Sequence, residues 1–319
     1  MTAARCTHLD HGITAVDTDY VRPLLAASHL INEGGRCAFV DTGSNHSVPF
    51  LLDALRQQEL DSAAVDYVFL THIHLDHAGG AGLLMQSLPN ARAVIHPRGA
   101  RHMIDPSKLI KGSQAVYGKE VFARLYGKLQ AIDKERVIVA EDGQRFDLNG
   151  RELHCFYTEG HARHHYCLHD ATASAVFTGD SFGVSYRELD TANGEFVFPT
   201  TTPVHFDPRE AHRTVDRIIA LMPAQCLLTH YSRVNDVARL AADLHQCLDD
   251  FVAMAESCRH SATRTLDLEA AMFDYLGDRA VQHGVADDEA RLRAIIGMDV
   301  KLNTQGLEHW LEHGSPSDR

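Results

Sequence analysis

The chain has 319 residues, enough for one large core with a smaller appendage. It is 45% hydrophobic and 23% charged with a mean hydropathy of -0.21, and no stretch reaches the apolar length of a membrane span. The formal net charge of -13, with no Lys/Arg-rich run, argues against a nucleic-acid partner, because a phosphate backbone selects a basic face.

The first residues, Met1 to His8, lack the apolar core of a signal peptide. Seven cysteines (Cys6, Cys37, Cys155, Cys167, Cys226, Cys247 and Cys258) are scattered, odd in number and without a Cys-x-x-Cys pair. Both features fit a reduced cytoplasm, with thiols as small core residues. Residues 13–41 read as an opening series of strands, in which 28–32 and 37–41 flank Glu33-Gly34-Gly35, a turn suited to a hairpin. Asp41-Thr42-Gly43-Ser44 closes the series; Asp41 is either an ordinary turn aspartate or a group that supports a nearby site. Over residues 47–60, Val48, Leu51, Leu52 and Leu55 recur at helical spacing, so an amphipathic helix should cover a sheet.

Residues 65–70 are short, apolar and rich in β-branched and aromatic types, which predicts a buried strand. The strand stops at Thr71-His72-Ile73-His74-Leu75-Asp76-His77-Ala78-Gly79-Gly80, where four groups able to bind metal stand within six residues. A turn at a strand end can send successive side chains to one side, whereas a regular strand sends them to alternate faces. A solvated loop gains nothing from this density of imidazoles, so the stretch reads as metal-binding.

A helix to about residue 87 and a strand at 93–95 follow. Residues 98–130 are an insertion broken by Gly99, Pro106, Gly112, Gly118 and Gly127, in which His102, Tyr117 and Tyr126 either line a pocket or pack. Residues 137–139 open a second run of strands. Within it, 153–158, 174–178 and 226–229 each run out at a residue able to bind metal: His161, Asp180 and His230. Beyond 236 the texture is helical, with Trp310 as an anchor for the tail. The expected division is a catalytic domain over 1–235 and a helical extension over 236–319 that packs on it, caps the site or forms a homodimer interface.

His72, His74, Asp76, His77, His161, Asp180 and His230 together supply five imidazoles and two carboxylates, enough for two divalent ions. In this order they resemble the metallo-β-lactamase-fold metallo-hydrolase superfamily over roughly residues 10–235. Asp41-Thr42-Gly43, Gly160-His161 and Gly179-Asp180 resemble the family's flanking patterns. The resemblance implies an α/β fold, a four-layer αββα sandwich with the site at one edge of the sheets. It would place His72, His74 and His161 on the first metal and Asp76, His77 and His230 on the second, with Asp180 bridging. A metal-bridging hydroxide would be the nucleophile, and Asp76 would steer it or accept its proton. Zinc is the first expectation for both ions, with iron and manganese open.

Two positions depart from the pattern: Glu159 stands where many relatives have proline, and Tyr231 where many have glycine. Tyr186, Tyr231 and His165 are candidates for a substrate pocket, although His165 reads more simply as a buried, hydrogen-bonding histidine. The resemblance implies a small-molecule ester, thioester or lactone as substrate, with glyoxalase II-like relatives also carrying a helical C-terminal region. The basic groups a glutathione site would need (Arg291, Arg293, Lys301) read as ordinary helix charges. Substrate choice falls to residues 98–130, 181–205 and the tail. Two alternatives stand beside hydrolysis. One is a mononuclear-iron persulfide dioxygenase-like enzyme, which would leave Asp76, His77 and His230 idle; the other is a non-catalytic regulatory or interaction protein on the same fold.

Overall fold

In the computed structural model of the protein, which describes residues 3–201 and 204–315, the chain forms two units from interleaved segments. Met1–Tyr157, His164–Gly179 and Thr229–Ser232 make the first; Thr158–Arg163, Asp180–Leu228 and Arg233–Arg319 make the second. The opening Met1-Thr2 and positions 202 and 203 of the 181–205 segment lie outside the described residues.

The first unit holds a seven-stranded sheet in sequence order: β1 (Cys6–His8), β2 (Ile13–Asp17), β3 (Ala27–Glu33), β4 (Arg36–Val40), β5 (Val65–Leu70), β6 (Arg92–Ile95) and β7 (Val137–Val139). Strands β1 to β4 run antiparallel. The predicted hairpin joins β3 to β4, with Gly34 and Gly35 at φ 56° and 86°, the left-handed pair that a tight two-residue turn demands. From β4 onward the pairing is parallel, and each connection must therefore cross over through helices. These are α1 (Val48–Gln57), α2 (Leu75–Ala78), α3 (Ala81–Ser87), α4 (Pro97–Ile104), α5 (Ser107–Tyr117) and α6 (Lys119–Tyr126). Helix α1 lays Val48, Leu51 and Leu55 in one core with Phe39, Val68 and Leu70, each such side chain contributing about 1.5–3 kcal/mol by burial.

Residues 137–139 form a strand, as the sequence suggested, and that strand belongs to the first sheet. The long insertion over 98–130 folds as α4 to α6 and returns the chain parallel to β6, so β7 completes the first sheet. The second run begins at β8 (Arg145–Leu148) and continues as β9 (Arg151–Tyr157), β10 (Tyr166–Asp170) and β11 (Ala175–Gly179), all antiparallel. Arg151 is buried here, but its Nε donates to Asp170 Oδ2 at 3.0 Å and its guanidinium also donates to the His11 carbonyl at 2.6 Å, so the charge is compensated.

The second unit contains α7 (Pro208–Ile219), β12 (Gln225–Leu228), α8 (Val237–Cys258), α9 (Arg264–Gln282) and α10 (Glu289–His313). Asp207 starts α7 by accepting from the amides of Arg209 and Glu210, and Asp288 starts α10 by accepting from that of Arg291. Helix α8 buries a stripe of Leu240, Leu244, Leu248 and Phe251 at helical spacing. Trp310 closes the tail by donating its indole N–H to Ser315 Oγ at 3.2 Å. All seven cysteines are free thiols, and among the described residues no helix is long and apolar enough to cross a membrane.

Candidate metal centre

The histidine-rich turn begins where β5 ends. Leu70 is the last strand residue, residues 71–74 lie outside regular structure with His74 extended, and Leu75 to Ala78 close into the single turn α2. This bend turns His72, His74, Asp76 and His77 off the strand's two-face alternation. The turn is clamped from the end of β4: Thr42 donates to the His77 carbonyl through its amide at 2.7 Å and its hydroxyl at 2.9 Å, and the Gly80 amide donates to the Gly43 carbonyl at 2.8 Å. Only glycine fits at position 80, where a Cβ would stand 2.6 Å from the Ser44 carbonyl oxygen.

Asp41 is the hub of this arrangement. It is fully buried, and its carboxylate accepts from the Thr71 amide (2.9 Å), the Thr71 hydroxyl (2.9 Å), the Thr229 hydroxyl (2.8 Å) and His77 Nδ1 (2.8 Å). These contacts fix imidazole tautomers. His77 gives its Nδ1 proton to Asp41, which leaves Nε2 as the lone-pair nitrogen. Thr71 spends its hydroxyl proton on Asp41, so it accepts from His72 Nδ1 at 3.2 Å, and His72 likewise keeps a lone pair on Nε2. His230 Nδ1 donates to the Leu25 carbonyl at 2.8 Å, with the same result.

Asp76, His77 and His230 converge so that one ligand atom from each lies within 4.8 Å of the others. Asp76 Oδ2 is 3.4 Å from His230 Nε2 and 3.7 Å from His77 Nε2. Beside them His72 Nε2 lies 2.9 Å from His74 Nδ1, and the His72 and His77 rings are 4.0 Å apart. A carboxylate and lone-pair nitrogens turned toward one point form a donor set that fits a divalent cation, with oxygen acceptors behind the rings as supporting partners.

In the second unit, His161 Nδ1 donates to the Thr200 carbonyl at 3.2 Å, and Nε2 lies 3.4 Å from Asp180 Oδ2. This is again a lone-pair nitrogen beside a carboxylate. A pocket opens at this pair, lined also by Glu159, Ser181, Thr214 and the α8 residues Leu244 and Leu248.

The remaining candidates fall in varied places. His165 is fully buried and stacks on His72 with centroids 4.8 Å apart. Tyr231 packs with Ala15 and Ala27 in a small apolar cluster. Tyr186 is buried in the second unit and donates to Asp299 at 2.9 Å. From the insertion, His102 meets Arg101 on the surface of α4, whereas Tyr126 packs with Leu75 of the turn and accepts from the Tyr20 hydroxyl at 3.0 Å. Burial first, and the Asp76 charge second, hold the Tyr20 and Tyr126 phenols protonated far above their ordinary range. The supporting residues that sequence reasoning missed are Thr71, Thr229 and the carbonyls of Leu25 and Thr200. The two threonines carry a readable signal, since each immediately precedes a proposed ligand histidine.

Mixed β sheets flanked by helices, with histidine and aspartate donors where strands run out, define a metallo-hydrolase-type α/β sandwich. The chain belongs to the metallo-beta-lactamase superfamily, whose pattern matches residues 21–230. It is 30% identical to the metallo-beta-lactamase fold-containing protein ST1585 of Sulfurisphaera tokodaii over 70% of this chain and 79% of that one. The crystal structure of ST1585 superposes with a TM-score of 0.65 at 22% identity, covering 94% of this chain and 99% of that one. Further relatives are hydrolases: the hydroxyacylglutathione hydrolase of Citrobacter koseri (29% identity over 48% of this chain) and the atrochrysone carboxyl ACP thioesterase of Aspergillus fumigatus (26% over 48%). The chain spans less than half of these two, 45% and 39% of their lengths. Proteins of this fold bind metal ions, and this chain carries histidine–aspartate clusters suited to it.

Proposed function

We propose that the protein is a binuclear metal-dependent hydrolase of small-molecule esters, thioesters or lactones. His72, His74 and His161 would hold one divalent ion, Asp76, His77 and His230 the other, and Asp180 both. The observation that carries this reading is the fixed tautomers: His72, His77, His161 and His230 each give Nδ1 to an oxygen and keep the Nε2 lone pair for a cation. When bound, such a pair lowers the pKa of water and polarises a carbonyl oxygen.

The chain's own groups supply the rest. Asp76 is the most open of its trio, with its side chain 23% exposed, and is placed to hold or take a proton. The Tyr20–Tyr126 pair, kept protonated, offers a neutral donor rather than a phenolate in the field of Asp76. The pocket at His161 and Asp180 combines hydroxyls with leucines and suits an acyl group. The relatives named as an acylglutathione hydrolase and an ACP thioesterase support acyl transfer to water as the reaction class. The partner proposed is a small molecule, not a nucleic acid or a membrane, and the setting a reduced cytoplasm, with zinc first among the ions to test.

Metal analysis of the purified chain, joined to a panel of thioesters, esters, lactones and phosphodiesters, tests the proposal. Two metals per chain and turnover of an acyl substrate are expected, and Asp180→Ala should lower metal content and activity together. A single iron per chain, or full metal and activity in the Asp180→Ala protein, would overturn it.

A further inference from the structure

Two copies of one short pattern remain unused by the proposed hydrolase. Helix α7 carries His212-Arg213-Thr214-Val215-Asp216 and helix α8 carries His245-Gln246-Cys247-Leu248-Asp249, each a histidine followed four residues later by an aspartate. On a helix that spacing puts both side chains on one face. The two faces meet, and the pairs cross over. His212 Nε2 lies 3.2 Å from Asp249 Oδ1, and His245 Nε2 lies 3.2 Å from Asp216 Oδ1. The rings lie within 4° of one plane and meet end to end, with centroids 4.9 Å apart and the two Nδ1 atoms facing each other at 2.6 Å.

The carboxylates behind the rings draw the ring protons to Nε2, which leaves each Nδ1 with its lone pair toward the other. Two lone pairs at this distance repel unless a cation lies between them. The same carboxylate–imidazole backing orients histidine ligands and raises their basicity in metal sites. Both imidazoles are 29% exposed, so an ion can reach them from solvent.

We infer that His212 and His245 form a second, surface metal site, separate from the hydrolase centre, that takes one borderline divalent ion of the zinc type. Two nitrogens on one tetrahedral zinc stand about 3.3 Å apart with their lone pairs converging on the ion, so the rings must part by a fraction of an ångström and swing out of their end-to-end line. Zinc would take both Nδ1 lone pairs, and water would complete the coordination. The site clips α7 to α8.

The test is equilibrium dialysis of the full chain against buffered Zn2+ near neutral pH, beside His212→Ala, His245→Gln and Asp249→Asn. The natural chain should hold one more zinc per molecule than either histidine variant. Asp249→Asn keeps both Nδ1 donors and should bind the same zinc about 10- to 100-fold more weakly; it serves if a histidine variant fails to fold. Hydrolysis should be unchanged in all three. Equal zinc content and affinity in the natural chain and the folded variants would overturn the site and leave the pair as a hydrogen bond between helices.

Discussion

At the scale of single residues, the candidate ligands were legible and the groups that support them were not. His72, His74, Asp76 and His77 could be read because four donors crowd one strand end, and His161, Asp180 and His230 because each stands alone where an apolar run stops. Asp41 could be noticed but not assigned, since an aspartate at a turn is ordinary until its four donors are known. The carbonyls of Leu25 and Thr200 carry no residue-type signal at all. Asp41 also sits at φ 57°, a left-handed conformation that aspartate tolerates better than most residues, held there by Thr71, His77 and Thr229. Asp41→Asn replaces one acceptor oxygen with a donor that faces donors. Affinity for the proposed ion on His77 should fall about 10- to 100-fold with little change in shape. Titration against a chromophoric chelator measures this; unchanged affinity would mean that Asp41 only builds the turn.

At the scale of elements, periodicity found nearly every helix and most strands. It missed β10, because Tyr166-Cys167-Leu168-His169-Asp170 follows directly on the histidine-rich stretch and reads as its continuation. It found β7 as a strand without saying where it pairs, since three residues of apolar sequence do not say which sheet they join. The tail was legible as helix with its role left open, and one residue of α10 bears on that role. Asn303 of α10 is 1% exposed; its Oδ1 accepts from the Thr201 amide at 2.6 Å and its Nδ2 donates to the Pro199 carbonyl at 3.1 Å. Between those two anchors lies Thr200, whose carbonyl receives His161 Nδ1. Asn303→Leu keeps the volume and leaves both backbone groups unpaired. It should cost roughly 2–5 kcal/mol and lower metal affinity in the protein that remains folded. Urea unfolding with metal titration separates the two, and a stability loss without any loss of affinity would show that the tail does not position His161.

At the scale of the whole molecule, burial couples stability to pH. His29 is fully buried, 3.2 Å from Ser232 Oγ, and burial lowers its pKa from 6.5 to about 4, against the smaller opposing effect of Asp41. The unfolded chain takes up this proton near pH 6.5, whereas the folded chain resists it until about pH 4. Stability from this group is therefore complete above the unfolded pKa and is lost as pH falls through that window, on the order of 1–3 kcal/mol. His96 is shifted in the same direction, mainly by burial and then by Arg98. Urea midpoints at neutral and mildly acid pH should converge less for the natural chain than for His29→Gln, which can still bond Ser232 but does not titrate. Identical slopes for the two proteins would contradict this. The fold class itself was legible from the ordered histidines and aspartates, while the substrate was not, because the residues lining the pocket at His161 and Asp180 form no motif.

The interleaving of the two units also sets an order of events during synthesis. Chains emerge from the ribosome N-terminus first, and units ordinarily close as soon as their sequence is out. The first unit cannot do so here, because Thr229 supplies one of the hydroxyls on Asp41 and His230 completes the trio with Asp76 and His77. The nascent histidine-rich turn must therefore wait through the translation of some 150 further residues before its last partners exist. A ribosome-stalled chain ending just before Thr229 should present those imidazoles to whatever metal or chaperone meets it first.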